Sequence, residues 1–208
     1  MSAADFDARY RAAEDPWDYR HSEYEQAKYA ATLAACGPGP FRCALELGAS
    51  IGVFSALLAP RCEELVTIDF STVATARARE TLAPLGHVRV LTGEIPAALP
   101  VGRFDLIVAS EVLYYLAPAA LAVTLSALGE RLVPGGRLVA VHWREPGSER
   151  PLSTAAVHEA LAAQPWLERG GEGGSDGAEA YRLDRFERPG GGEVRPCERI
   201  PAGAPLTA

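Results

Sequence analysis

Neither a Cys-x-x-Cys pair nor a pair of neighbouring histidines occurs in this sequence, and its four cysteines, at positions 36, 43, 62 and 197, are scattered. That argues against a zinc site or a disulfide framework, leaves no metal to expect, and favours reduced thiols used in packing. Basic residues are also in short supply: 20 Lys and Arg against 27 Asp and Glu give a formal net charge of −7 and a pI near 5.2. Affinity for nucleic acid rests on clustered Lys and Arg, so no nucleic-acid partner is expected. No uninterrupted apolar stretch is long enough to cross a bilayer, and no membrane partner is expected. The polar start Met1-Ser2-Ala3-Ala4-Asp5 lacks the charged-then-apolar plan of a signal peptide, which makes cytoplasmic residence the default expectation. What is present suits one compact domain: 208 residues, 48% hydrophobic and 23% charged.

The apolar residues fall into a regular alternation. Runs rich in β-formers at 43–47, 64–68, 88–91, 104–109 and 137–142 are mostly separated by helical stretches, notably 53–59, 71–82, 118–132 and 153–163. Strands separated by helices predict an α/β chain with a doubly wound, mostly parallel sheet, and in such sheets ligands gather beyond the carboxyl ends of the strands. Upstream, Ser22 with Glu25 makes a capping-box pattern, and Tyr24, Ala27, Ala31 and Ala34 recur at helical spacing. These predict a helix over 22–36, stopped by Gly37-Pro38-Gly39-Pro40. The aromatic segment Asp15-Pro16-Trp17-Asp18-Tyr19-Arg20 before it reads either as a lid over a ligand or as a strap packing its rings on the domain. Downstream, 167–170 and 180–187 are expected as final antiparallel strands joined by a glycine-rich loop at 171–177, and the tail from Pro189 is expected to be flexible. The organisation expected is thus a lid segment and helix over 1–40, the main domain over 41–188 and a tail over 189–208.

Everything is arranged around Leu45-Glu46-Leu47-Gly48-Ala49-Ser50-Ile51-Gly52, where a strand turns into a helix. Gly48 permits a backbone conformation closed to other residues, and Gly52 lets the helix start lie close to the strand or a ligand, with the first-turn N–H groups free to point outward. Later strand ends add acids. Asp69 stands 21 residues beyond Gly48, close to the ~20-residue spacing at which an acidic side chain takes ribose hydroxyls. Glu94 and Ile95 follow the third run, Ser110 and Glu111 the fourth, His142 and Trp143 the fifth. A nicotinamide dinucleotide is the competing ligand, but its Gly-x-Gly-x-x-Gly fingerprint is absent, and the Glu46 carboxylate beside the turn repels phosphate. A cationic, phosphate-free nucleoside fits better.

These residues resemble the class I S-adenosylmethionine-dependent methyltransferases across 45–141, through the acid-and-glycine turn, Asp69, Gly93-Glu94-Ile95-Pro96, the 104–114 run and Pro134-Gly135-Gly136. Ser50 replaces the middle glycine of the commonest pattern. More narrowly, the chain resembles the nodulation protein S group of N-methyltransferases, on Asp15-Pro16-Trp17-Asp18-Tyr19, Tyr24-Glu25, Lys28, Gly48-Ala49-Ser50-Ile51-Gly52, Ser110-Glu111-Val112-Leu113-Tyr114-Tyr115, His142-Trp143-Arg144, Val157-His158 and Tyr181-Arg182-Leu183-Asp184. The resemblance implies a Rossmann-like seven-stranded fold with an N-terminal helical lid, and S-adenosyl-L-methionine as cofactor. It implies as acceptor the free amine of an amino sugar on a chitooligosaccharide, with the enzyme a monomer or homodimer. By the same resemblance Gly48, Ala49 and Gly52 approach the methionine part, Glu46 orients the loop or meets the amino group, Asp69 holds the ribose and Glu94 with Ile95 frames the adenine. Ser50, Phe70, Ser110, Trp17 and Tyr24 complete the expected cofactor-binding set, and Asp69→Ala is expected to weaken cofactor binding with little loss of folding.

For the acceptor side the candidates are His142, Glu111, Tyr114 and Tyr115, with His158 favoured for a structural role. A histidine ending the fifth strand would face the cleft, and its ordinary pKa of ~6.5 suits accepting an ammonium proton near neutrality. Glu111 can attract a cationic amine or bond backbone in its own loop. An O-methyltransferase and a non-catalytic S-adenosylmethionine-binding protein are the alternatives.

Overall fold

The computed structural model describes residues 2–144, 150–174 and 181–190. Seven strands form one sheet in the order β3-β2-β1-β4-β5-β7-β6. They are β1 (Ala44–Leu47), β2 (Leu65–Asp69), β3 (Val88–Thr92), β4 (Phe104–Ser110), β5 (Leu132–Trp143), β6 (Glu168–Gly174) and β7 (Tyr181–Glu187). The first five run parallel, while β7 is antiparallel to both β5 and β6. The helices are α1 (Ala3–Ala12), α2 (Glu23–Cys36), α3 (Val53–Leu58), α4 (Thr72–Leu82), α5 (Pro118–Arg131) and α6 (Thr154–Ala162).

Successive residues of a strand point to opposite faces, so alternate positions feed two cores. Leu45 and Leu47, Ile107 and Ala109, Leu138 and Ala140 pack with Leu121, Leu125 and Leu128 of α5 and Val157 and Leu161 of α6. Ala44, Leu106, Val108, Val139 and Val141 pack on the other face with Tyr29 and Cys36 of α2 and Phe54 and Leu58 of α3. Burial on both faces is why these strands read as continuous apolar runs rather than as alternations.

Two strand boundaries and one helix differ from the sequence reading. The fifth strand begins at Leu132 rather than at 137, carried back past Pro134-Gly135-Gly136 by a register shift against β4. The glycines expected in a loop at 171–174 continue β6 instead, because Gly171, Glu172, Gly173 and Gly174 pair with Arg185, Asp184, Leu183 and Arg182 of β7; the remainder of that loop lies outside the described residues. So does the tail beyond Gly190. A third element, α1, was not foreseen. It is opened by a capping box in which the Ser2 side chain accepts from Asp5 N–H and the Asp5 carboxylate accepts from Ser2 N–H at 2.7 Å. Asp7 then docks it on α4, accepting from the Ser71 hydroxyl at 2.5 Å, the Thr72 hydroxyl at 2.7 Å and Val73 N–H at 3.3 Å. A carboxylate at a helix N-terminus meets both free N–H groups and the positive end of the helix dipole. Its inward residues Phe6 and Tyr10 are buried against Ile51 and Ala74. No helix among the described residues is long and apolar enough to cross a membrane.

Candidate active site

The turn between β1 and α3 fixes one side of a cleft at the carboxyl edge of the sheet. Gly48 has φ +89°, and a Cβ there would stand 2.6 Å from the Ser110 carbonyl oxygen, so only glycine lets β1 and the end of β4 approach this closely. Its N–H and that of Ala49 donate to the Ile68 carbonyl at 2.9 and 3.1 Å, which ties the turn to β2. Gly52 departs from its expected place: a Cβ there would lie 3.2 Å from Ala78 Cα, so this glycine serves packing of the turn on α4, and it does not line the cleft. Ser50 itself is left-handed at φ +48°, held by its N–H to Asp69 Oδ2 at 2.9 Å and its hydroxyl to Tyr10 at 2.6 Å.

The cleft is lined by Gly48, Ser50, Asp69, Phe70, Glu94, Ile95 and Ser110, residues that follow the strand ends. Asp69 accepts Ser50 N–H on one oxygen and Ser71 N–H on the other, both at 2.9 Å. Burial raises its pKa, against the pull of those two N–H groups and that of Phe70. The N-terminal lid expected over 1–40 covers the cleft, with a helix, α1, that was not read from the sequence. Phe6 and Tyr10 of α1, with Tyr19, close over it, Phe6 lying 5.0 Å from the Phe70 ring and 5.3 Å from that of Tyr115. A smaller recess below the turn is lined by Glu46 and Ala49. Glu46 is buried and accepts the Ser55 hydroxyl at 2.5 Å; burial pushes its pKa up to about 7.

A second, aromatic cleft opens beside the first, bounded by Trp17, Tyr19, Tyr24, Tyr114, Tyr115 and Trp143, with Arg9, Glu25, Lys28 and Arg150. Trp17 and Tyr24 belong to this cleft and not to the Asp69 cleft, which corrects their assignment to the cofactor side; Trp17 stacks on Tyr19 at 5.7 Å in the wall between the two. The one carboxylate shared by both clefts and by the recess is Glu111, at φ +55°. Its Oε1 accepts from Lys28 Nζ at 3.0 Å, and its Oε2 accepts from Trp143 N–H at 3.1 Å and from the Tyr114 hydroxyl. Burial works against the Lys28 charge, but Glu111 and Glu25 outweigh it and raise the lysine's pKa.

His142 is not where the strand-end reading has it. It shares the side of β5 taken by Leu138 and Ala140, which faces α5 and α6, and it is fully buried behind the wall of the clefts. Leu113 N–H donates to its Nε2 at 3.2 Å, its Nδ1 lies 3.0 Å from His158 Nε2, and His158 Nδ1 lies 2.8 Å from Asp184 Oδ2. An amide can only donate, so the proton order follows: each imidazole accepts on Nε2 and donates from Nδ1, ending on the carboxylate. Burial, reinforced by His158, holds the His142 pKa well below the imidazole range, and burial lowers that of His158 against the pull of Asp184. Both nitrogens of His142 are engaged, which removes it as a base for a substrate and makes it a brace for the 111–115 segment.

Both rings bind protons more readily in the unfolded chain, so their stabilisation is complete above the ordinary value of 6.5 and is lost as pH falls below it. His142→Gln keeps a donor and an acceptor; His142→Leu strands Leu113 N–H and His158. Urea denaturation at about pH 7.5 is expected to find the leucine variant less stable by about 1–3 kcal/mol and the glutamine variant nearer wild type. The gap should narrow toward about pH 5. A leucine variant as stable as wild type contradicts this proton order.

The reversed strand β7, the strand order and a cleft beyond β1, β2 and β4 define the class I S-adenosylmethionine-dependent methyltransferase fold. The family profile described as Nodulation protein S (NodS) matches residues 3–146, and the chain belongs to that family. It is 36% identical over 133 residues to nodulation protein S of Sinorhizobium fredii, covering 63% of this chain and 62% of that protein. With nodulation protein S of Rhizobium tropici it shares 34% identity over 144 residues, 68% of this chain and 60% of the other. The chain thus spans about three-fifths of the length of these relatives. It is also similar to the crystal structure of the N-methyltransferase NodS from Bradyrhizobium japonicum in complex with S-adenosyl-L-homocysteine, with a TM-score of 0.82 at 26% identity over 91% of this chain and 100% of that one.

Proposed function

We propose that this chain is an S-adenosylmethionine-dependent N-methyltransferase acting on the free amine of a small molecule, an amino sugar of the chitooligosaccharide type. The carrying observation is Glu111, a braced carboxylate common to the Asp69 cleft and the aromatic cleft. Family membership and the N-methyltransferase named among similar structures support the same reading.

The residues fit the cofactor. Each Asp69 oxygen uses one lone pair on a backbone N–H and keeps capacity for a ribose hydroxyl. Phe70 and Ile95 offer apolar surface to an adenine, with the exposed Glu94 at the rim, while Glu46 and Ala49 line the recess for the methionine end. S-adenosylmethionine supplies the methyl group on a sulfonium, a leaving group that needs no metal or acid.

The chain's own work is then to hold and aim. Glu111 accepts one N–H of the neutral amine, which turns the nitrogen lone pair toward the glycine turn. As the nitrogen–carbon bond forms and the carbon–sulfur bond breaks, the nitrogen becomes cationic beside a fixed carboxylate, an attraction stronger in the transition state than before it. The proton leaves afterwards to water. Alignment of this kind recovers ~7–11 kcal/mol in well-oriented reactions. Lys28, Tyr114 and Trp143 N–H hold Glu111 still, while Trp17, Tyr115 and Trp143 supply flat faces suited to a sugar ring.

Incubation with methyl-labelled S-adenosylmethionine and a set of deacetylated chitooligosaccharides, simple amines and phenols, read by mass spectrometry, tests the reading. Label on an amino-sugar nitrogen is expected. Label on phenols alone would replace it with O-methylation, and tight binding of S-adenosylhomocysteine without any product would replace it with a binding protein.

A further inference from the structure

We propose that Glu25, on α2, is a receptor for a primary ammonium group. Its side chain is buried, 8% of the residue remaining accessible, yet it lines both the aromatic cleft and the recess under the glycine turn. One carboxylate oxygen, Oε1, accepts from Lys28 Nζ at 3.0 Å. The other, Oε2, is buried and takes no hydrogen bond from any described residue. A buried carboxylate oxygen left without a donor costs free energy, and native structures reserve such groups for a ligand or a bound water.

The charge balance says what kind of donor. Lys28 lies between two carboxylates, 3.0 Å from Glu25 Oε1 and 3.0 Å from Glu111 Oε1. One cation between two anions leaves the cluster short of a positive charge. The remaining donors to it, the Tyr114 hydroxyl and Trp143 N–H, are neutral and both go to Glu111. Burial above all, with the charges of Glu111 and Asp15, raises the Glu25 pKa, partly offset by Lys28, which marks a carboxylate that gains from a second cation. A sulfonium carries no hydrogen to donate, and a hydroxyl carries no charge; a primary ammonium supplies both.

Such an ammonium has two sources here, the methionine end of the cofactor through the recess and the acceptor amine through the aromatic cleft. The assignment rests on the methyltransferase reading for the first and on the cleft alone for the second. Glu25→Gln keeps the side-chain shape and the acceptance from Lys28 while removing the charge. Calorimetry on wild type and variant would use S-adenosylhomocysteine, which bears the ammonium, 5′-methylthioadenosine, which keeps the adenosine and thioether but lacks it, and glucosamine. The variant is expected to lose about tenfold or more in affinity for S-adenosylhomocysteine or for glucosamine, and to bind methylthioadenosine as wild type does. A loss with S-adenosylhomocysteine alone assigns the methionine end, and a loss with glucosamine alone assigns the acceptor. Unchanged affinity for all three overturns the proposal, as does an equal loss with methylthioadenosine. Wild type that binds neither adenosine ligand fails the cofactor reading, and glucosamine then decides Glu25: absence of glucosamine binding in that case overturns it too.

Discussion

Glu111→Gln is expected to lower kcat about 10²-fold, equivalent to ~2.7 kcal/mol of barrier, while S-adenosylhomocysteine affinity stays within about threefold of wild type. The substitution keeps an acceptor for Trp143 N–H and for the Tyr114 hydroxyl, so the 111–115 segment retains its bonds. It removes the negative charge that stabilises the nitrogen as that atom becomes cationic, an interaction absent from the ground state of a neutral amine. Lys28 keeps Glu25 as a partner, so the lysine is not stranded. Glu111→Ala differs: it deprives Tyr114 and Trp143 N–H of their acceptor and leaves a cavity, so its melting temperature should fall further than that of the glutamine variant, whose amide nitrogen takes the place of Oε1 opposite Lys28. Initial rates with labelled cofactor and the best acceptor, set beside calorimetry with S-adenosylhomocysteine, separate chemistry from binding. A glutamine variant within about threefold of wild-type kcat would show that positioning by the clefts suffices without this charge.

The sheet was legible because parallel strands buried on both faces leave apolar runs, and the helices between them leave only one way to wind. The lining of the Asp69 cleft was legible for a related reason: a cleft beyond the strand ends is lined by whatever residue follows each run, so Gly48, Asp69, Glu94 and Ser110 could be picked by position alone. Position fails where facing matters. His142 stands one residue before the end of β5, not at it, and a place near a strand end says nothing of which side the side chain takes; pairing with β4 and β7 sends His142 toward α6 and Trp143 toward the cleft. Gly52 shows the same limit, since a glycine required by helix packing and one required by a ligand leave the same letter. The lid was expected, but its helix α1 was missed because it has only Phe6 and Tyr10 as large inward residues. Its available signal was the Ser2 and Asp5 capping box. Trp17 and Tyr24 line the aromatic cleft rather than the Asp69 cleft, because nothing local tells a residue which side of Glu111 it will occupy.

Asp69→Ala is expected to reduce affinity for S-adenosylhomocysteine about 10²-fold, through the loss of two charge-assisted hydrogen bonds to ribose hydroxyls worth ~1.5 kcal/mol or more each. The structure revises the expectation that folding would escape. Asp69 also accepts Ser50 N–H and Ser71 N–H, so its removal loosens the left-handed serine of the glycine turn and the residue that caps α4, whose hydroxyl accepts Ala74 N–H at 3.1 Å. A stability loss of about 1–3 kcal/mol should accompany the binding loss. Asparagine does not separate the two effects, because its amide nitrogen would face one of two N–H donors. The ligand separates them instead. Wild type should bind 5′-methylthioadenosine more tightly than its 2′,3′-dideoxy counterpart, and Asp69→Ala should bind the two alike, since the carboxylate that distinguishes them is gone. Affinity lost equally for both ligands, with the discrimination between them intact, would mean that Asp69 shapes the turn and that the ribose is held by other groups.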